Sequence, residues 1–271
     1  MYRKSYFIII ISYNSTYYAA ASTFGGAIGS LLGGVIGNNN YKITFSVQFV
    51  LSVVICILFY FFLEETVTKK NIDKVEKEKT YTKSINALSP KVVFIMSQVG
   101  VFFFAVTSYN SSINYYIESV LSLPPTVNGI FLAIAGIFGF LINIFFTGKL
   151  AKRFGEVKAL RISGISMAVC IGGATLFNLV PLFFLFILLF VGSSAVYQPM
   201  LQNIISKVSN KDNGKIAGIQ NSARAIGMIV GSLYSGFIFV YGSKLPFLTA
   251  SIVIIIGYLI FKFGYKKYEI I

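Results

Sequence analysis

The sequence predicts an all-α polytopic membrane protein with about eight transmembrane helices, and two observations lead to this fold class. Of the 271 residues, 56% are hydrophobic and only 12% are charged, whereas soluble domains carry about 25% charged residues. The apolar residues are gathered into long runs, and a helix needs about 20 of them to cross a bilayer. An ordinary soluble domain and a disordered chain are therefore both excluded.

Each predicted span is an apolar run bounded by charged or turn-forming residues. Because lipid offers the backbone no hydrogen-bonding partner, such runs must be helices. The opening apolar stretch, residues 6–11, is shorter than the core of a signal peptide, and apolar sequence resumes after residues 19–21, so the first run is a membrane helix. The eight runs are residues 6–36, 41–63, 92–117, 126–148, 159–178, 182–205, 216–240 and 245–263.

The basic residues predict an orientation in the cell membrane. The net charge is +14, and Lys and Arg collect in alternate loops, as cytoplasmic loops do. Both termini then lie in the cytoplasm, which leaves Lys42 and Lys244 on the outer face and Arg224 inside a span. The charge thus reports topology and lipid contact, and no nucleic-acid partner is expected. The cytoplasmic set is Arg3, Lys4, Lys69, Lys70, Lys74, Lys77, Lys79, Lys83, Lys91, Lys149, Lys152, Arg153, Lys158, Arg161, Lys207, Lys211, Lys215, Lys262, Lys266 and Lys267.

The residue types argue against an enzyme. The chain has no His, and its two Cys residues, Cys56 and Cys170, fall inside apolar runs. A disulfide framework or a metal site is therefore not expected, and the usual general base is missing. No phosphate-binding glycine loop is present to drive transport by ATP. We expect no catalytic residues, no metal and no cofactor.

One long hydrophilic segment divides the chain into three parts. Residues 1–65 hold two spans, residues 66–91 form a cytoplasmic loop rich in Lys and acids, and residues 92–271 hold six spans. The loop is either a solvated linker between helical bundles or a regulatory, partner-binding segment.

Glycines four residues apart mark two of the runs. They remove side chains from one helix face and let another helix approach closely. The same spacing in the first and seventh runs indicates a parallel internal repeat. The predicted helix-packing glycines are Gly25, Gly29, Gly33 and Gly34 in the first run and Gly227, Gly231 and Gly236 in the seventh.

Two motifs in the first part resemble the major facilitator superfamily of twelve-helix transporters. Residues 25–34 resemble the glycine motif of the family's fifth helix, with Ser30 where a proline is usual. Residues 61–66 resemble the end of its sixth helix.

Two later motifs continue the resemblance in the family's order. Gly148, Arg153 and Gly155 match the cytoplasmic gate turn between helices eight and nine, although Lys152 replaces its acid. Residues 218–224 resemble the start of helix eleven.

The resemblance implies helices five to twelve of the family fold, with a complete C-terminal six-helix bundle and a remnant of the N-terminal bundle. It implies a secondary active transporter of an unidentified small-molecule substrate, or a fragment of one. The glycine motif favours efflux, since it is most common in the family's exporters, and proton coupling is one expectation for that efflux. The alternative is a non-transporting membrane protein or an inactive remnant of a transporter gene. A misread start codon, a broken gene or a true short protein would each account for the missing N-terminal helices, and a partner subunit is a further possibility.

Polar side chains inside the six-helix part are the candidates for the substrate pathway, since such groups are costly in lipid. Those spaced three or four residues apart share a helix face, and they either line a cavity or hydrogen-bond between helices. Arg224 either attracts an anionic substrate or extends to the cytoplasmic surface. The candidates are Thr107, Asn110 and Asn114 in one stripe, Ser194, Gln198 and Gln202 beside Pro199 in a second, and Asn143 and Arg224.

The topology is testable by labelling single cysteines in a background that lacks Cys56 and Cys170. We expect Ser122→Cys to react with an impermeant maleimide in intact cells, because it lies in an outer loop. Lys79→Cys should react only after the cells are permeabilised. The reverse pattern would contradict the orientation.

Overall fold

The structure is a computed structural model that describes residues 24–26, 28–29, 32–33, 36, 41–62, 90–176, 179–208 and 213–267. All regular elements of these residues are helices, and seven of them are long and apolar enough to cross a membrane. The predicted all-α membrane fold is confirmed. Most of the first predicted span, with Gly34, and nearly all of the linker loop lie outside the described residues.

The helices coincide with the predicted spans and extend several of them by a few residues. One helix ends in a π-helical turn and another is interrupted by one, and each such turn accommodates one extra residue. The helices are α1, Tyr41–Phe62; α2, Pro90–Tyr115 followed by the π-helical turn Tyr116–Val120; α3, Pro125–Ile142, the π-helical turn Asn143–Thr147 and a last piece Gly148–Phe154; α4, Glu156–Leu176; α5, Val180–Val208; α6, Asn213–Tyr241; and α7, Leu245–Lys267.

Helices α2 to α7 form one packed bundle. Helix α2 lies along α6, α4 lies along α5, α7 contacts both α2 and α4, and α3 packs on α5. Near the end of α2, the Tyr116 ring stacks on Phe183 of α5 at a centroid distance of 4.7 Å and meets Phe247 of α7 edge-on at 5.4 Å. Aromatic rings thus tie three helices together at one end of the bundle.

Helix α1 differs from the others because its apolar side chains are exposed. None of the most apolar 18-residue stretch of α1 is buried, whereas about half of the corresponding stretch of α2 is buried. Closer to the N terminus, the Phe24 ring lies 5.3 Å from Phe140 of α3. The described residues before Pro90 therefore contact the bundle sparsely.

Helices α2 and α6 touch backbone to backbone at two of the predicted glycines. A Cβ atom built on Gly227 would lie 2.5 Å from the carbonyl oxygen of Gly100, and one on Gly231 would lie 2.5 Å from that of Phe104. Neither oxygen can move aside without shifting its helix. Only glycine fits at these two positions.

The other predicted packing glycines have no such neighbour among the described residues. A Cβ atom on Gly236 would meet no atom within 4 Å, and the same holds for Gly25, Gly29 and Gly33. The packing role of the glycines in the first run stays a prediction.

The close contact between α2 and α6 predicts different stability changes for alanine variants of Gly231 and Gly236. Gly231→Ala should destabilise the protein by about 1–3 kcal/mol, because the new methyl group overlaps the Phe104 carbonyl. Gly236→Ala should leave stability unchanged or raise it by up to about 1 kcal/mol, the helix-propensity difference between Gly and Ala. Unfolding midpoints in detergent would measure both effects. Equal midpoints for the two variants would contradict the close approach of α2 and α6.

Candidate functional site

A polar cleft of about 340 Å³ opens between α2, α5 and α6. Helix α2 contributes an apolar and aromatic wall, while α5 and α6 contribute amide groups and one cation. The lining residues are Val99, Phe102 and Phe103 from α2, Gln198, Pro199, Leu201 and Gln202 from α5, and Ala217, Gln220, Asn221 and Arg224 from α6.

The cleft brings together amides of two helices. Gln198 and Gln202 are one helical turn apart on α5 and face the same side. The Gln220 Nε2 atom of α6 donates a hydrogen bond to the Gln202 Oε1 atom at 2.5 Å. This bond links α5 to α6 and leaves the second halves of both amides for other partners.

Gln220 and Asn221 are site residues that the sequence reasoning missed. Gln220 lies one helical turn before Arg224, so both share a face of α6. Both missed residues belong to the motif at residues 218–224. The one-turn spacing between Gln220 and Arg224 is the sequence feature that could have identified Gln220 as a site residue.

Arg224 lies in the cleft with its side chain exposed. Its guanidinium carbon is 4.6 Å from the centroid of the Phe103 ring, a cation–π distance. No carboxylate of the described residues lies within ion-pair distance of Arg224; their one ion pair joins Lys207 to Glu156 at 2.6 Å.

The remaining candidates lie outside the cleft. Asn114 accepts a hydrogen bond from the Asn128 Nδ2 atom at 2.6 Å, which joins α2 to α3. Thr107 is half-buried and Asn110 is exposed. The Ser194 hydroxyl donates to the Val191 carbonyl of its own helix at 2.7 Å.

Asn143 is buried at the first residue of the π-helical turn in α3, with 2% of its surface exposed. Its Oδ1 atom has no hydrogen-bond partner among the described residues. Of the eight predicted pathway residues, the structure therefore gathers Gln198, Gln202 and Arg224 into one site.

The turn that matched the gate motif joins α3 to α4. Gly155 has a φ angle of +77°, a conformation that glycine adopts without strain. Gly148 begins the last helical piece of α3, and the Arg153 guanidinium lies 5.5 Å from the neighbouring Phe154 ring. Directly after the turn, Glu156 pairs with Lys207 of α5. An acid is thus present at this end of the bundle, although not at position 152.

The residues offer no metal centre in the part of the chain that the structure covers. No group of three or more His, Cys, Asp or Glu side chains there is arranged to hold a metal ion. The described lining of the cleft consists of amides, an arginine and apolar groups.

Comparison with known proteins identifies the family to which the chain belongs. The family model described as "Major Facilitator Superfamily" matches residues 13–232 and 144–268, and the chain belongs to this family. The human organic anion transporter MFSD10 has a similar fold, with a TM-score of 0.57 and 14% identity over 89% of this chain and 64% of that structure.

Two multidrug resistance proteins of Bacillus subtilis (strain 168) are similar in sequence. Multidrug resistance protein 2 is 24% identical over 248 residues, and Multidrug resistance protein 1 is 22% identical over 242 residues. Each alignment covers 89% of this chain and 61% of the relative. The chain therefore spans about three-fifths of the length of these relatives.

The positions of Gln198 and Asn143 predict that cysteines at these two sites differ in reactivity. In a background lacking Cys56 and Cys170, we expect Gln198→Cys to react with a water-soluble maleimide in detergent, because Gln198 is exposed in the cleft. Asn143→Cys should stay unreactive in the folded protein, since position 143 is buried. Both variants should react fully once the protein is unfolded. Equal reactivity in the folded protein would contradict the placement of these residues.

Proposed function

We propose that the chain acts in secondary active transport of small solutes and that the polar cleft forms one wall of the substrate pathway. The observation that carries this proposal is the convergence of Gln202, Gln220 and Arg224 between membrane helices. Polar and charged groups at such positions are costly in lipid and are typical of solute pathways. No enzymatic step is part of the proposal.

The relatives support efflux as the direction. Two similar proteins are named for multidrug resistance and the structural neighbour for organic anion transport. Secondary transporters of two-bundle architecture work by rocking one bundle against the other around a central site. We infer that this chain contributes to the same cycle, coupled to the proton gradient.

The packing of the helices supports a division of the chain into three parts. We propose that residues 92–271 are the bundle that carries the cleft, that residues 66–91 are a cytoplasmic linker and that residues 1–65 belong to the facing bundle. Helices α2 to α7 pack on one another, whereas α1 buries none of its most apolar 18-residue stretch. The exposed face of α1 supports contact with further helices, either of the same polypeptide or of a partner subunit.

The turn Gly148–Gly155 is the proposed cytoplasmic gate. Its positive-φ glycine fixes a sharp reversal between α3 and α4. The ion pair of Glu156 with Lys207 ties the start of α4 to the end of α5 beside this turn. We infer that this pair helps to hold the cytoplasmic ends of the bundle together.

Reconstitution in liposomes tests transport directly. We expect the 271-residue chain to insert into the membrane but to move no solute by itself, because the cleft needs a facing wall. Co-expression with the first four helices of Multidrug resistance protein 2 should confer uptake of organic solutes that depends on an imposed proton gradient. The assay measures uptake of a panel of drugs, sugars and organic anions.

A variant with Gln202 and Gln220 both replaced by Leu is the control, since it removes the two amides that link α5 to α6 in the cleft and nearly keeps side-chain size. Uptake that is the same with and without these amides would show that the cleft is not the pathway. Saturable uptake by the chain alone would contradict the need for added helices and indicate that copies of the chain supply the facing wall.

A further inference from the structure

Among the described residues that line the cleft, Arg224 carries the one charge. Four amides, from Gln198, Gln202, Gln220 and Asn221, accompany it, and none of these described lining residues is Asp or Glu. Because no described carboxylate lies within ion-pair distance of the guanidinium, the cleft carries a positive charge that a ligand can neutralise.

The Phe103 ring lies next to this charge. The guanidinium carbon of Arg224 is 4.6 Å from the centroid of the ring, a cation–π distance. A guanidinium group carries five N–H donors in a planar fork. That fork matches two oxygen atoms of a carboxylate, sulfonate or phosphate group.

The rest of the cleft suits an apolar body with few polar atoms. Phe102 and Phe103 of α2 and Pro199 of α5 line it with apolar groups. The hydrogen bond between Gln220 and Gln202 occupies one donor and one acceptor, so a donor on Gln202 and an acceptor on Gln220 are left for the ligand.

We propose that the cleft selects organic anions, compounds with a flat apolar body and a single carboxylate, sulfonate or phosphate group, over neutral molecules and cations of the same shape. This inference rests on the proposed function and names its substrate class. Arg224 holds the anionic group, and the aromatic wall of α2 holds the apolar body. A cation is rejected because it meets a like charge and finds no acid among the described lining residues.

An anionic lipid headgroup shares this chemistry. A free organic anion is the occupant we favour, because the cleft offers aromatic and amide surface next to the cation. A headgroup, in contrast, would need the cation alone. The lipid composition of the test separates the two sources.

The test measures equilibrium binding of three naphthalene probes to the purified chain in phosphatidylcholine nanodiscs. The probes are 2-naphthalenesulfonate, neutral 2-naphthalenemethanol and a 2-naphthylmethyl trimethylammonium cation. We expect the sulfonate to bind about tenfold more tightly than the neutral probe, as one charge-assisted hydrogen-bonded contact provides. The cation should bind most weakly.

Variants locate the preference. Arg224→Gln should abolish the advantage of the sulfonate, and Arg224→Lys should keep part of it. Lys262→Gln, which removes one exposed positive charge on α7 outside the cleft, should change nothing. Asn221→Asp places an acid in the cleft and should shift the preference toward the cation, which tests the proposal even if Arg224→Gln fails to fold.

Three results would overturn the proposal: equal binding of sulfonate and neutral probe, a sulfonate preference that survives in Arg224→Gln, or loss of sulfonate binding when phosphatidylglycerol is added to the nanodiscs. The last result would identify a lipid headgroup as the occupant. Arg224-dependent anion binding without uptake in the complemented liposomes would refute transport and leave the anion site standing. Uptake confined to cations would refute the anion site and leave transport standing.

Discussion

The backbone contact between α2 and α6 is the constraint on which the rest of the structure depends. Gly227 and Gly231 rest against the carbonyl groups of Gly100 and Phe104, with no space for a side chain. In a membrane, apolar surface alone does not drive helices together, so close packing of small residues and interhelical hydrogen bonds must do it. The pair Ser112 and Ser235 continues the contact, with hydroxyl oxygens 2.5 Å apart.

This contact also sets the geometry of the cleft. Phe103 directly precedes one contact residue of α2, and Arg224 lies about one turn before Gly227 on α6. The two side chains therefore emerge beside the tightest point of the helix pair, where the guanidinium meets the ring. Helix α5 closes the site through the bond between Gln202 and Gln220. A fixed α2–α6 distance thus links helix packing to the arrangement of side chains in the cleft.

Hydrophobicity predicted the helices, and glycine spacing predicted that another helix crosses closely at Gly231, because both depend on local composition. Neither reveals which helix a polar face meets. Asn114 of the first stripe bonds to Asn128 of α3, whereas Gln202 of the stripe on α5 bonds to Gln220 of α6. The glycine spacing also placed Gly236 among the packing residues, but no described atom lies within 4 Å of its Cβ position. Gln220 was missed because its partner, Gln202, is on another helix.

Disulfide trapping tests the α2–α6 contact most directly. In a background without Cys56 and Cys170, the pair Ser112→Cys and Ser235→Cys should oxidise to an intramolecular disulfide in native membranes, which thiol counting with a maleimide polymer would detect. The pair Ser166→Cys and Ser193→Cys, whose hydroxyl oxygens lie 2.7 Å apart between α4 and α5, is the positive control. The account predicts cross-linking of both pairs. Cross-linking of the control pair alone would contradict the contact on which the cleft depends.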